Sequence, residues 1–181
     1  ENMEISPKNI YSATKKINEE IAKDFSRITR MKIIGLRFFT VYGSYGRPDM
    51  FIFKFLKSLF LNKKFYLYNH GNHKRDYTHI DDVLKIIDKL IKKKIKKKII
   101  IFNICSNNPI NIKKLMNKII DYTNLKTNIK KVRRNKIEVL NTHGDNKKIL
   151  NFTKIKRFKN LYTEINKIID SYKKEKIWKI T

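Results

Sequence analysis

Cysteine occurs once in this chain of 181 residues, at Cys105, so no internal disulfide can form and no cysteine-rich metal site can be assembled. A reducing compartment, the cytoplasm, suits such a chain. Glycine is scarce too, at five residues, and none falls in the G-x-G-x-x-G spacing that lets a backbone wrap a dinucleotide pyrophosphate. No stretch approaches 18 uninterrupted apolar residues, which leaves no transmembrane candidate and no membrane partner. The first fifteen residues lack the charged-then-apolar layout of a signal peptide. His70 and His73 have no acidic or cysteine companion at ligand spacing, so they read as surface residues and no metal is expected.

Acidic side chains are the other shortage. Sixteen Asp and Glu face 43 Lys and Arg, a formal charge of +27. Such a balance raises nucleic acid as a partner. Two features weigh against it. Lysine exceeds arginine about fourfold, whereas readers of bases and phosphates favour arginine forks. Isoleucine and asparagine are abundant beside lysine, the imprint of an A/T-rich coding sequence on tolerant surface positions. No nucleic-acid partner is expected, although a basic nucleic-acid-binding module remains a competing reading. A polyanionic small substrate suits a basic protein equally well.

What the chain does contain begins at Tyr11-Ser12-Ala13-Thr14-Lys15. On a helix, a spacing of four puts Tyr11 and Lys15 on one face a turn apart. A free tyrosine titrates near pH 10, and an adjacent ammonium favours its phenolate, so the pair can serve as a general base. Tyr122 with Lys126 and Tyr172 with Lys176 share the spacing, so context must separate them. The period of Ile10, Ala13, Ile17, Ile21, Phe25 and Ile28 predicts an amphipathic helix over 9–30 with that face buried. Residues 32–39 read as a strand buried on both faces. Ligands in open α/β sheets sit beyond the carboxyl ends of strands, which aims Phe39, Thr40 and Val41 at a site. The alternative for Thr40 is that it merely ends the strand and satisfies backbone. The cluster 43–46 reads as a turn whose glycines allow positive φ, followed by Arg47, either a bidentate anion ligand or a solvated loop residue.

Further along, 50–61 is apolar nearly all round and predicts a buried helix, 65–68 a strand and 69–72 a turn. Asp81 and Asp82 read as caps of a helix running through Ile91. The basic run 92–98 reads as a solvated connection, 99–104 as a buried strand and 111–122 as a helix. Residues 126–148 are polar with sparse apolar positions, 162–172 predicts a last helix, and Trp178 a terminal anchor.

The order Tyr-x-x-x-Lys, helix, short strand, Gly35-Leu36-Arg37-Phe38-Phe39-Thr40-Val41-Tyr42-Gly43, Gly46-Arg47-Pro48-Asp49-Met50 and Lys74-Arg75-Asp76-Tyr77-Thr78-His79-Ile80-Asp81-Asp82 resembles the extended short-chain dehydrogenase/reductase family. Within it, the run is most similar to the nucleotide-sugar 4-epimerases that act on UDP-glucuronate. The likeness covers roughly residues 1–105 and thins beyond. It implies an α/β fold: the C-terminal part of a Rossmann-like doubly wound parallel sheet over 1–47, then a smaller α/β substrate-binding domain over 48–181, with 99–104 returning to the main sheet.

The resemblance also implies NAD as cofactor and a UDP-sugar as substrate, UDP-glucuronate going to UDP-galacturonate by transient oxidation at C4. Tyr11 would be the base, with Lys15 beside it and on the nicotinamide ribose. Phe39 and Val41 would lie by the cofactor, Thr40 and Arg47 by the sugar and its carboxylate, and Arg75 and Asp145 by the nucleotide. The resemblance implies a homodimer through the helix at 11–30; packing only on its own sheet fits the periodicity equally well. A related decarboxylase or 4,6-dehydratase uses the same Tyr and Lys. Family members need about twice this length because a whole dinucleotide domain precedes the tyrosine. Together with the initial Glu1, this implies the C-terminal portion of a longer protein or a truncated gene product. The family's upstream serine or threonine has no counterpart, so these residues alone are expected neither to bind NAD well nor to turn over.

Overall fold

The structure, a computed structural model, describes residues 7, 9–133 and 139–179. Helix α1 (Ile10–Thr29) opens with a reciprocal cap: Asn9 Oδ1 accepts the Ser12 N–H at 2.8 Å, and Ser12 Oγ accepts the Asn9 N–H at 3.2 Å. The face expected to be buried is not. Ile17, Ile21, Phe25 and Ile28 are 50–79% exposed, and Ile10 is 85% exposed. The helix instead turns a small and polar face inward, where Ser12, Ala13, Glu19, Ala22 and Ser26 are at least partly covered. Two interactions fix that choice. Glu19 forms a bidentate pair with Arg37 at 2.6 and 2.7 Å, and the Ser26 hydroxyl donates to the Met31 and Lys98 carbonyls. The Arg37 guanidinium holds the Glu19 carboxyl below its usual range, against the opposing effect of burial.

Strand β1 (Ile33–Phe38) runs parallel to β5 (Ile99–Ile104), with Leu36 opposite Phe102. After the single residue Phe39, whose N–H still donates to the Ile104 carbonyl at 3.3 Å, the chain changes neighbours. It becomes β2 (Thr40–Tyr42), parallel to β4 (Lys74–His79), and β4 pairs antiparallel with β6 (Pro109–Asn111). A separate parallel pair joins β3 (Phe65–Tyr68) to β7 (Ile129–Val132). β7 is missing from the sequence reading because two of its four residues are exposed lysines.

Two cores follow. Helices α2 (Phe51–Phe60), α4 (Ile112–Thr123) and α6 (Leu161–Lys174) enclose Phe55, Leu56, Phe65, Leu115, Ile119 and Ile165. Trp178 closes this core by stacking on Phe60, ring centroids 4.4 Å apart. Helices α3 (Ile80–Ile91) and α5 (Lys147–Thr153) cover β1 and β5 around Ile86, Phe102, Ile104 and Ile149. Among the described residues no helix is long and apolar enough to cross a membrane.

Between the cores lies Asp76, fully buried on β4. Its carboxylate accepts the Ser106 N–H at 2.9 Å, the Ser106 hydroxyl at 2.7 Å and the Gly144 N–H at 3.3 Å. Three donors satisfy a charge that burial would otherwise make very costly.

The cap of α3 also differs from expectation. α3 starts at Ile80, so Asp81 and Asp82 stand inside its first turn, and the His79 ring supplies the cap, its Nδ1 accepting the Asp81 N–H at 3.2 Å. Asp82 accepts the Lys159 N–H and Asp81 pairs with the Lys159 ammonium, which ties α3 to the segment before α6. Burial lowers the His79 pKa below the usual 6.5, more than the nearby Asp81 and Glu164 raise it. The unfolded chain therefore binds more protons just below pH 6.5, and stability rises with pH there. Urea midpoints should hold above that value and fall as pH drops below it, before the carboxylates titrate. His79→Asn, which keeps an acceptor at the cap, should flatten that segment; an unchanged slope would contradict the account.

Candidate active site

Of the three Tyr-x-x-x-Lys pairs, only Tyr11 and Lys15 lie within one helix. Lys126 falls beyond the end of α4 and Lys176 beyond the end of α6. Tyr172 is buried in the core, and the Tyr122 hydroxyl donates to Asp170 at 2.8 Å. The first pair stands in solvent, with Tyr11 71% exposed and the Lys15 ammonium 5.0 Å from its ring centroid. Spacing and exposure leave both groups open to a ligand.

A cleft of about 360 Å³ forms from the start of β2, the start of α2 and the outer face of β3 and β4. Thr40 and Arg75 both line it. Strand alternation explains the company they keep, because His73, Arg75 and Tyr77 share one side while Asp76 points to the other. Asp49, Met50 and Lys54 contribute from the α2 end, and Tyr66 and Tyr68 from β3. Arg75 is anchored rather than loose, its Nη1 donating to the Lys74 and Leu140 carbonyls at 3.0 Å each. The sequence reading missed Asp49, Lys54, Tyr66, Tyr68 and His73. Alternation from Arg75 pointed to His73; nothing local marked the others.

Arg47 sits at the rim in a bidentate pair with Asp49, at 3.0 and 2.6 Å. That carboxylate raises the guanidinium pKa, and Tyr11 is close enough to add to the same field. The preceding turn is not built on glycine φ as expected. Tyr45 is its left-handed residue (φ 57°), while Gly46 allows close packing, since a Cβ there would lie 2.3 Å from the Phe53 ring.

The remaining candidates lie at the carboxyl end of β5. Val41 packs partly buried against the α3 and α5 core. The Phe39 ring abuts Gly144, where an added Cβ would lie 2.5 Å from that ring and 2.6 Å from Cys105 Sγ. Asp145 is not among the residues lining the cleft of Thr40 and Arg75. Its carboxylate accepts the Lys147 N–H at 2.9 Å and so serves the first turn of α5, a helix the sequence reading did not foresee. Among the described residues no cluster of His, Cys, Asp and Glu could hold a metal ion.

Residues 1–105 match the model of the NAD dependent epimerase/dehydratase family, and the chain belongs to that family. An uncharacterised protein of Methanocaldococcus jannaschii is 40% identical over 139 residues, 77% of this chain and 42% of that protein. UDP-glucuronate 4-epimerase 4 of Arabidopsis thaliana is 48% identical over 82 residues, 44% of this chain and 19% of that protein. The chain therefore spans less than half the length of these curated relatives. Among solved structures, MoeE5 in complex with UDP-glucuronic acid and NAD superposes with a TM-score of 0.90 at 22% identity, over 97% of this chain and 59% of that one. The fold is that of Rossmann-fold epimerases and dehydratases.

Gly144→Ala tests the packing that holds Phe39. With a rigid ring and a buried thiol in the way, the substitution should lower unfolding stability by about 1–3 kcal/mol in urea titration. An unchanged midpoint would mean that Phe39 is not held there.

Proposed function

We propose that this chain is the substrate-side portion of an NAD-dependent nucleotide-sugar 4-epimerase, with UDP-glucuronate as substrate and UDP-galacturonate as product. The observation that carries the reading is a solvent-open Tyr-x-x-x-Lys pair on one helix, in a chain whose cleft brings Thr40 and Arg75 together. The likeness to UDP-glucuronate 4-epimerase 4 of Arabidopsis thaliana over 82 residues supports the substrate.

The residues present fit the nicotinamide end of the cofactor, since the Tyr11 phenol and Lys15 ammonium stand exposed side by side. Bound there, NAD would supply a reversible hydride acceptor for the sugar C4. Tyr11 takes the C4 hydroxyl proton, and gives it back to the 4-keto sugar after that sugar has turned over in the pocket. Lys15, over the Tyr11 ring, would hold the nicotinamide ribose. Phe39 and Val41 border the cofactor. Thr40 holds the sugar, and Arg47 leaves Asp49 to meet the sugar carboxylate bidentately. Arg75 meets the diphosphate, with Lys54 as a second cation in the cleft. Asp145 keeps one carboxylate oxygen for the nucleotide ribose only if its helix-capping bond to Lys147 stays on the other. The domain division at about residue 47 belongs to the same reading, as does the cytoplasm, which the buried Cys105 thiol suits.

The protein carrying this chain together with an intact dinucleotide-binding half should convert UDP-glucuronate to UDP-galacturonate, followed by chromatography. Tyr11→Phe should lower kcat by a hundredfold or more, on the order of a lost general base, while UDP still binds. Full activity in that variant would remove Tyr11 from the mechanism. Product lacking the sugar carboxylate would favour a decarboxylase instead, and a 4-keto-6-deoxy product from a nucleotide-linked glucose a dehydratase.

The exposed apolar face of α1 supports a homodimer through that helix, which would bury Ile17, Ile21, Phe25 and Ile28 against a second copy. Ile21→Glu should then shift the species seen in sedimentation velocity from dimer to monomer. A monomeric wild type would refute this contact.

A further inference from the structure

A second cavity, of about 320 Å³, opens on other walls: the turn after β5, the start of α5 and the segment 156–160 before α6. Its lining is basic and rich in amides, with Lys156, Arg157, Lys159, Asn107, Asn108 and Asn146, and it contains no carboxylate. The cations are not equivalent. Lys159 is already committed to Asp81 at 2.6 Å and lies near Glu164. Lys156 and Arg157 enter no ion pair or hydrogen bond among the described residues. Arg157 also borders a wider cleft containing Asp81, Asp82 and Glu164, but Lys159 and Lys167 already answer Asp81 and Glu164 there.

Two uncompensated cations over a concave wall without acid set up a positive field, and the size is at the low end for small-molecule sites. The amide wall is held in place. Asn146 is 5% exposed and donates to the Cys105 carbonyl at 2.9 Å, and the Asn107 side-chain oxygen lies 2.6 Å from His143 Nε2. Asn107 itself adopts the left-handed conformation (φ 58°).

We propose that this cavity binds the phosphate group of a small ligand, either free phosphate or a sugar phosphate. Arg157 offers a planar fork to the phosphate oxygens and Lys156 a point charge. The asparagines offer donors and acceptors to ligand hydroxyls. The site is separate from the substrate cleft, with which it shares Tyr77 as a lining residue. It does not depend on the proposed epimerase activity.

Thermal unfolding of the 181-residue chain, with glucose 1-phosphate, inorganic phosphate or sodium chloride at matched ionic strength, tests this directly. At a tenfold excess over Kd a phosphate compound should raise Tm by about 3–6 °C relative to chloride. The shift should vanish in Lys156→Ala/Arg157→Ala and persist in Arg75→Ala, which disables the substrate cleft instead. Equal shifts from both compounds would assign the site to phosphate alone, and a larger one from glucose 1-phosphate would show that the amides read the sugar. No shift beyond chloride, or a shift that survives the double substitution, would overturn the proposal.

Discussion

The arrangement turns on the Asp76 carboxylate. Buried completely, it gathers donors from Ser106, at the end of β5, and from Gly144, before α5, onto the middle of β4. A carboxylate in that position is tolerable only because each bond is charge-assisted, and removing any donor would expose the cost of its burial. Three segments far apart in sequence are thereby held to one point. Strand alternation then does the rest, because fixing Asp76 on one side of β4 fixes Arg75 and Tyr77 on the other, where the cleft lies.

The same division of faces recurs in α1. A helix that were simply amphipathic would bury its isoleucines. This one presses small residues and the Glu19 to Arg37 pair against β1 and leaves the apolar stripe outside. The periodicity was legible, but periodicity reports only that a face is apolar, not what covers it. Tyr11 and Lys15 sit at the exposed start of this helix, so the proposed catalytic pair and the proposed dimer face are carried by one rigid element.

Much of the architecture can be read from local pattern. The apolar helix at Phe51–Phe60, the alternating strand Phe65–Tyr68 and the continuous strand Ile99–Ile104 announce themselves, since each is decided by burial of its own side chains. The misses share a cause. β7 carries exposed lysines and exists because β3 offers it partners; α5 is a short helix whose N-cap, Asn146, makes no side-chain cap bond; His79 caps α3 with a ring nitrogen, where serine, threonine, asparagine and aspartate are the usual signals. Of the candidate residues taken from motif, Thr40 and Arg75 line one cleft, and Tyr11 and Lys15 share one helix. Lys54, Tyr66 and Tyr68 were not legible, because only the meeting of α2 with β3 brings them to the cleft.

The central claim is that this chain holds a sugar nucleotide for reversible oxidation at C4, with Tyr11 moving only the hydroxyl proton. The most direct measurement is to run the reaction of the protein carrying this chain, with its dinucleotide-binding half, in deuterated water and examine the product by NMR. The account predicts that UDP-galacturonate forms with ordinary hydrogen at both C4 and C5, because neither carbon gives its hydrogen to solvent. Deuterium at C4 would contradict transient C4 oxidation, and deuterium at C5 would contradict the claim that only the hydroxyl proton is moved, since it would mean that the hydrogen beside the C4 ketone is also removed.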